Sequence, residues 1–323
     1  MKHQKWGILG CGSIAGKFRN SMEAVEDGVV VACASNTPGK AERFAQTHQV
    51  PDAYEGYDDL LARSDIDAVY VATTHNFHHE NVIQALEAGK AVLCEKPMAV
   101  NGAQTRNMVA KAREKNLFLM EAMWTRFLPA IRQMKSWLEA EEIGTLKMMR
   151  ADFCIGGPFP PEHRLMNPDL AGGALLDAGI YPVSMASFVM GGRPEKVAAL
   201  ADIGITGVDE QSAYLFQYAD GRMAMLSSSV CSASQNRLEI VGSEGRIVIP
   251  NGFLSAREVE LHRKNGERIQ MRLPYAGPRG FCFEIQAVHE AMAAGEIECP
   301  LMPPDESVAI AETLDLIQTR FAE

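Results

Sequence analysis

Over roughly its first 120 residues the chain alternates short apolar runs with amphipathic ones, and that alternation restricts its fold more than any other feature. "WGILG", "VVVACAS", "DAVYVAT", "AVLCE" and "LFLMEAM" read as strands, separated by the helix-like "AGKFRNSMEAV", "KAERFAQTH", "HENVIQALEAG" and "AQTRNMVAKAREKN". A strand that is apolar without interruption must be covered on both faces, and the intervening helices supply the covers. The pattern therefore predicts a doubly wound α/β domain on a parallel sheet. After Trp124 the rhythm changes. A helix over "PAIRQMKSWLEAEE" leads into strand patterns such as "KMMRADFC", "KVAALADIG", "SAYLFQYADG", "MAMLSSS", "LEIVGSEGRIVI" and "VELHRKNGERIQMRL". The turn signals "ADG", "GSEG" and "KNG" between them predict antiparallel hairpins, hence a second, α+β domain on a mostly antiparallel sheet. Two helices, near "FEIQAVHEAMAAG" and "DESVAIAETLDLIQTRFAE", close the chain, and domains are expected at 1–123 and 124–323.

Length agrees, since 323 residues suit two domains of roughly 100 to 200 residues each. The net charge of -10, with no basic stripe, argues against a nucleic-acid partner, which needs cations to exchange for counterions. No segment approaches the roughly 18 consecutive apolar residues of a membrane span. "MKHQKWGILGCG" has too short an apolar run for a signal peptide, so a cytoplasmic protein without membrane partners is expected. The seven cysteines form no CxxC pair and read as free thiols in a reducing compartment.

"GCGSIA" lies between the first strand and the first helix. A dinucleotide site needs one glycine for the tight turn, a second for close approach of the pyrophosphate, and a small residue for helix packing. Gly10, Gly12 and Ala15 fit in that order, with Ser13 and Ile14 offering N–H groups at the helix N-terminus. A plain tight turn would look similar, but the position on the first βα unit favours a cofactor. The second strand ends in Ser35, Asn36 and Thr37, with no acid for a ribose hydroxyl. With Lys40 and Arg43 downstream, this favours NADP over NAD, unless those two cations are merely solvated helix residues.

Ligands of such sheets sit outside the carboxyl ends of the strands, which brings in "VATTHNFHH" and "LCEKP". Thr73, His75, Asn76, His78, Glu95 and Lys96 become candidate cofactor-binding residues, with Lys96 where a nicotinamide ring should lie. The histidine cluster His75, His78 and His79 has no Cys or acidic partner at metal-ligand spacing, so no metal is expected. Asn76 is expected to cap the helix that follows. Pro97 can be cis or trans.

"AGGALLDAGIYPVSMASFVMGG" places Asp177 and Tyr181 at i and i+4, on one face if helical. Pro182 is tolerable only in a first turn or at a kink. On the residues alone, a helix acid and a half-buried tyrosine would explain the pair. Together, however, "GCGSIA", "EKP" and "AGGALLDAGIYP" resemble the Gfo/Idh/MocA family of nicotinamide-dependent oxidoreductases over essentially the whole chain. "FLMEAMWTRFLP" and the tyrosine resemble its dihydrodiol and D-xylose dehydrogenase branch. One departure is Ala171, where the family usually has the first of three glycines.

The resemblance implies a Rossmann domain, a C-terminal open sheet whose exposed face often pairs in a homodimer, and a catalytic set falling on Lys96, Asp177 and Tyr181. It also implies a small-molecule substrate, a sugar, polyol or trans-diol, walled by Trp124, Arg126 and Phe153, with "GGPFPPEHRLMNPDL" (156–170) shaping the pocket. In such chemistry Tyr181 is the general acid/base. A phenol with pKa of about 10 needs a cation such as Lys96 to act near neutrality, and Asp177 orients a neighbouring hydroxyl or Lys96 itself. Two alternatives stay open: a non-catalytic dinucleotide sensor, and a redox-neutral, NAD-dependent glycoside-cleaving enzyme.

Overall fold

The structure, a computed structural model, describes residues 3–277 and 280–321, and the statements below concern those residues. Contacts divide the chain into two units: Met1–Trp124 with Ala276–Val308, and Thr125–Tyr275 with Ala309–Glu323.

The first unit is built on β1 (Gln4–Leu9), β2 (Gly28–Ser35), β3 (Asp52–Glu55), β4 (Ala68–Val71), β5 (Ala91–Glu95) and β6 (Leu119–Ala122). They form one parallel sheet in the order β3-β2-β1-β4-β5-β6. The order reverses between β1 and β4, the switch point at which open α/β sheets bind ligands. Every residue of β4 and β5 is buried, the covered-on-both-faces condition that their apolar runs required. Helices α1 (Ser13–Met22), α2 (Lys40–His48), α3 (Asp58–Leu61), α4 (His75–Glu87) and α5 (Gly102–Lys115) connect the strands. Leu9, Val69, Val71, Val82, Leu86, Val92 and Leu119 form part of one core cluster, where each large side chain contributes about 1.5–3 kcal/mol by leaving water. Asn101 caps α5, its side chain accepting the Gln104 N–H at 2.9 Å.

The two-way division at 123/124 assigned all later chain to the second domain; the structure puts residues 276–308 with the first. Two long-range bonds tie them there. The Trp6 indole N–H donates to His289 Nε2 at 2.9 Å, and the Leu119 N–H donates to the Ile297 carbonyl at 3.2 Å.

In the second unit α6 (Pro129–Glu139) opens with proline at its start, where no N–H is missed. The sheet runs β14-β13-β12-β11-β7-β10-β9-β8, from β7 (Leu146–Cys154), β8 (Lys196–Ile203), β9 (Asp209–Gln217), β10 (Met223–Ser229), β11 (Leu238–Gly242), β12 (Gly245–Ile249), β13 (Glu258–Arg263) and β14 (Arg268–Arg272). Only β7 and β10 pair in parallel; the rest are antiparallel. β9 shows the alternation of a half-covered sheet: Ser212, Tyr214 and Phe216 are buried, whereas Gln211, Ala213 and Leu215 are exposed. The inner face meets α7 (Ile180–Met190), all of whose residues are buried. α8 (Phe281–Ala293) and α9 (Pro304–Arg320) complete the fold; the last two residues of the expected closing helix lie outside the described residues.

Pro168–Met190 is long and apolar enough to cross a membrane by length and composition, with a mean hydropathy of 1.3, yet its apolar window is wholly buried inside the protein. A core helix enclosed on all sides is apolar all round for the same reason a spanning helix is. All seven cysteines are free thiols.

Candidate active site

The β1–α1 turn meets the requirements of a pyrophosphate cradle. Gly10 has φ +94°, and a Cβ there would lie 2.8 Å from the backbone of Ala72 and Thr73 at the end of β4. Its N–H is spent on the Ala34 carbonyl at 2.9 Å. Gly12 differs. It is the N-cap of α1 with φ -90°, makes no side-chain cap, and a Cβ placed on it would meet nothing within 4 Å. Room beside a helix N-terminus whose first N–H groups have no intrahelical partner is what a phosphate takes, so the turn fits a dinucleotide. Ala15, in the first turn, is fully buried. At the end of β2 the Ser35 hydroxyl accepts the Thr37 N–H at 3.2 Å, while Asn36, Thr37 and Arg43 are exposed and Lys40 half-buried.

At the end of β4 the N-cap of α4 is Thr74, not Asn76. Asn76 lies in the first turn and accepts the Thr74 hydroxyl at 2.8 Å, so its side chain is turned back on the cap. The His78 ring is fully buried, with Nδ1 2.8 Å from the Pro97 carbonyl and Nε2 3.1 Å from the Thr73 carbonyl. It thus ties the end of β4 to the turn after β5. His75 sits edge-on to it at 5.6 Å, whereas His79 faces Asn107 at 2.9 Å; the three imidazoles do not converge.

The Lys96–Pro97 bond is cis, and Lys96 is the one residue between Ala91 and Ala99 that escapes full burial. Glu95 is turned inward, accepting the Tyr70 phenol and the Lys96 N–H. Glu284 of α8 is wholly enclosed, and neither of its oxygens has a hydrogen-bond partner. Burial, with the Glu95 charge added, pushes its carboxyl well above the usual range.

In the second unit a π-helical turn, Leu175–Gly179, precedes α7 and carries Asp177. Pro182 falls in the first turn of α7, where a proline is tolerated, and the wider turn before it leaves Asp177 and Tyr181 one turn apart. Both are buried, at 5% and 4% exposure. Asp177 accepts two bonds from one guanidinium, Arg164 Nη1 to Oδ2 and Nη2 to Oδ1, each 2.9 Å. Phe153 of β7 stands edge-on to Tyr181 at 5.3 Å. Behind the turn, Asp209 of β9 accepts the Leu175 N–H at 2.7 Å and the Ser212 hydroxyl at 3.1 Å. Burial pushes its carboxyl up to about 6 against the pull of those bonds, with a small contribution from the Asp177 charge.

Trp124 and Arg126, expected as substrate walls, are almost wholly enclosed. Trp124 packs edge-on to Phe281 at 5.1 Å. Arg126 bonds Ser184 of α7 through Nε at 3.1 Å and Nη2 at 2.8 Å, with its guanidinium over the Phe188 ring at 5.0 Å. Its side chain holds α7 in place.

Two family models match, the oxidoreductase family with NAD-binding Rossmann fold over residues 4–123 and the GFO/IDH/MocA C-terminal domain over 131–248. The chain belongs to the Gfo/Idh/MocA family. It is 37% identical over 321 residues to a trans-1,2-dihydrobenzene-1,2-diol dehydrogenase of Xenopus laevis, covering 96% of each chain. The Sus scrofa enzyme of the same name is 35% identical over 325 residues, covering 97% of this chain and 96% of that one. A solved 3-ketoreductase from Actinomadura kijaniata, in complex with NADP and TDP-benzene, aligns with a TM-score of 0.88 at 31% identity, covering 98% of each.

As a Gfo/Idh/MocA protein the chain is an oxidoreductase on an NAD-binding fold. Sequence reasoning missed Arg164, Asp209 and Glu284 as parts of its polar clusters. Arg164 lies 13 residues from Asp177, Asp209 lies 34 from Leu175, and Glu284 has no hydrogen-bond partner to be spaced from, so periodicity carried no signal for them. For Arg164 the one available signal was its place in the 156–170 loop, already expected to shape a pocket.

Proposed function

We propose that this Gfo/Idh/MocA chain transfers hydride between NADP and a carbinol or carbonyl carbon of a sugar, polyol or trans-diol, with NAD as the weaker alternative. The observation that carries the proposal is the run from the π turn into α7. There a phenol, Tyr181, follows by one turn a carboxylate that a guanidinium holds in place. Full-length similarity to dihydrodiol dehydrogenases supports the substrate class.

When bound, the nicotinamide supplies the hydride acceptor or donor. The chain supplies the rest. Tyr181 takes the hydroxyl proton during oxidation and returns it during reduction. Asp177 accepts from a neighbouring hydroxyl and orients the carbinol, while Lys96 favours negative charge on the reacting oxygen. Preference for NADP is supported by exposed Asn36 and Thr37 just past the end of a strand that offers no carboxylate to repel a phosphate, with exposed Arg43 in the first turn of α2. A homodimer and a reducing, cytoplasmic setting belong to the same reading; seven free thiols support the latter.

The test follows reduced dinucleotide by absorbance with NADP⁺ or NAD⁺ against a panel of pyranoses and trans-diols. Tyr181→Phe should lower kcat by roughly 100- to 10,000-fold, the usual worth of a general acid/base, with dinucleotide affinity unchanged. Lys96→Met should lower kcat and move the pH optimum upward. Dinucleotide binding without turnover of any panel member would sink the proposal.

A further inference from the structure

The loop between β7 and the π turn is a built structure. Leu165 and Met166 form a small buried cluster with Ala174, Val208 and Val230, against which Phe159 packs. The Phe159 ring stacks on His163 at 4.5 Å, and the His163 Nδ1 accepts the Leu165 N–H at 3.2 Å. The loop's far end is pinned as well. The Gly173 N–H donates to the Leu165 carbonyl at 2.8 Å, and a Cβ on Gly172 would lie 2.6 Å from the Arg164 carbonyl. Arg164 is thus held by its own backbone over the turn that carries Asp177.

Its side chain completes a bidentate pair, both contacts 2.9 Å, with a carboxylate only 5% exposed, while the Arg164 side chain keeps 38% exposure. Two consequences follow from this chemistry. First, an Asp177 whose two oxygens each accept from a guanidinium has its carboxylate plane fixed and its remaining lone pairs directed, which suits it to accept from a hydroxyl. Second, the Asp177 contacts use two of the five guanidinium N–H donors, and the pair as a whole carries no net charge. A neutral unit that both accepts and donates matches adjacent hydroxyls of an uncharged compound. An added carboxylate on the substrate would lose water beside a pair that has no net charge left to compensate it.

We infer that Arg164 and Asp177 act as one substrate-recognition element in which Arg164 is a further positioning and specificity residue, selecting uncharged vicinal hydroxyls over sugar acids. The inference rests on the hydride-transfer reading above and narrows its substrate class. The probes are D-xylose and D-glucose as neutral pyranoses, and D-glucuronate, which carries the same ring hydroxyls with a carboxylate added.

Binding to dinucleotide-loaded protein, read by calorimetry, is measured beside steady-state turnover for wild type, Arg164→Lys and Arg164→Leu. Arg164→Leu strands a buried anion and can fail to fold, so the lysine variant, which keeps the charge and loses the planar fork, decides the matter. Expected are wild-type binding of the neutral sugars with rejection of D-glucuronate, and in Arg164→Lys a KM and Kd raised roughly tenfold to a hundredfold with kcat changed little. The pH optimum set by Tyr181 should stay in place. Equal wild-type affinity for D-glucuronate and D-xylose, no binding of any pyranose, or an Arg164→Lys variant indistinguishable from wild type would each overturn the inference. Selective binding without dinucleotide reduction would instead leave Arg164 as argued and overturn the hydride-transfer reading.

Discussion

Asp209 illustrates how a single residue behind a site sets a condition on the whole fold. Its carboxyl titrates at about 6 in the folded protein because it is buried, against a value of about 3.9 for an unfolded chain. An acid raised in this way binds its proton more tightly in the folded state than in the unfolded one. Its contribution therefore turns against stability as pH rises from about 4 through 6, and above that the charged form costs on the order of 1–3 kcal/mol. Asp209→Asn keeps an oxygen for the Leu175 N–H and removes the charge. Thermal melts across pH should show the variant gaining on wild type as pH rises through 6, and a difference curve flat with pH would show that Asp209 is already relieved. Glu284 is a similar case in the first unit, wholly buried and with its carboxyl raised well above the ordinary range by that burial. Neither acid was visible as special in the sequence, because desolvation depends on neighbours distant in the chain. Asp177 shows the opposite limit: its spacing from Tyr181 could be read directly, whereas the guanidinium that decides its chemistry comes from an irregular loop.

Among elements, the β1–α1 turn separates what folding needs from what the cofactor needs. Gly10 is required by the fold: its φ is +94° and a Cβ would press on backbone atoms at 2.8 Å. Gly12 is not, with an ordinary φ of -90° and open space where its Cβ would stand. Gly10→Ala should cost about 2–3 kcal/mol or more, since backbone must move to admit it. Gly12→Ala should leave stability within about 1 kcal/mol, as glycine-to-alanine changes at an N-cap do, yet lower NADP affinity by an order of magnitude or more. Denaturant melts and fluorescence titration read the two quantities separately; equal losses of both in the two variants would refute the division of roles. Such turns are legible in sequence because a glycine pair between an apolar run and a helix has few uses. The same clarity failed at α4, where Thr74 and Asn76 are both good caps and the choice is settled by one hydroxyl donating to one amide oxygen. It failed again at the π turn, since one extra residue in a turn leaves no mark on a segment that is buried on every side.

For the molecule as a whole, local pattern specified two sheets and the order of their strands in the chain, but not the return of residues 276–308 to the first unit, which depends on contacts such as Trp6 with His289. The outer face of the second sheet poses the remaining question. Register sets Ala198, Leu215, Met225, Arg150 and Glu239 in one row across β8, β9, β10, β7 and β11. Leu215 and Met225 are 40% and 37% exposed, and Leu200, on the edge strand β8, is 79% exposed. Exposed apolar side chains on neighbouring strands of an open sheet are unfavourable in water, and a second copy would cover them with the same face reversed. Arg150, Arg237 and Arg246, each within 3.8 Å of Glu239, would form a polar margin to such an interface. A stable dimer should then bury at least about 1,200 Å² in total. Sedimentation equilibrium at micromolar concentration should give about twice the chain mass of 35.3 kDa. Leu215→Arg with Met225→Arg would place like charges on that face while leaving each protomer's core intact, and should shift the mass to that of one chain without lowering the unfolding temperature of the protomer. A wild-type protein that sediments as a single chain, or a double variant that stays paired, would show that this face meets water or a different surface.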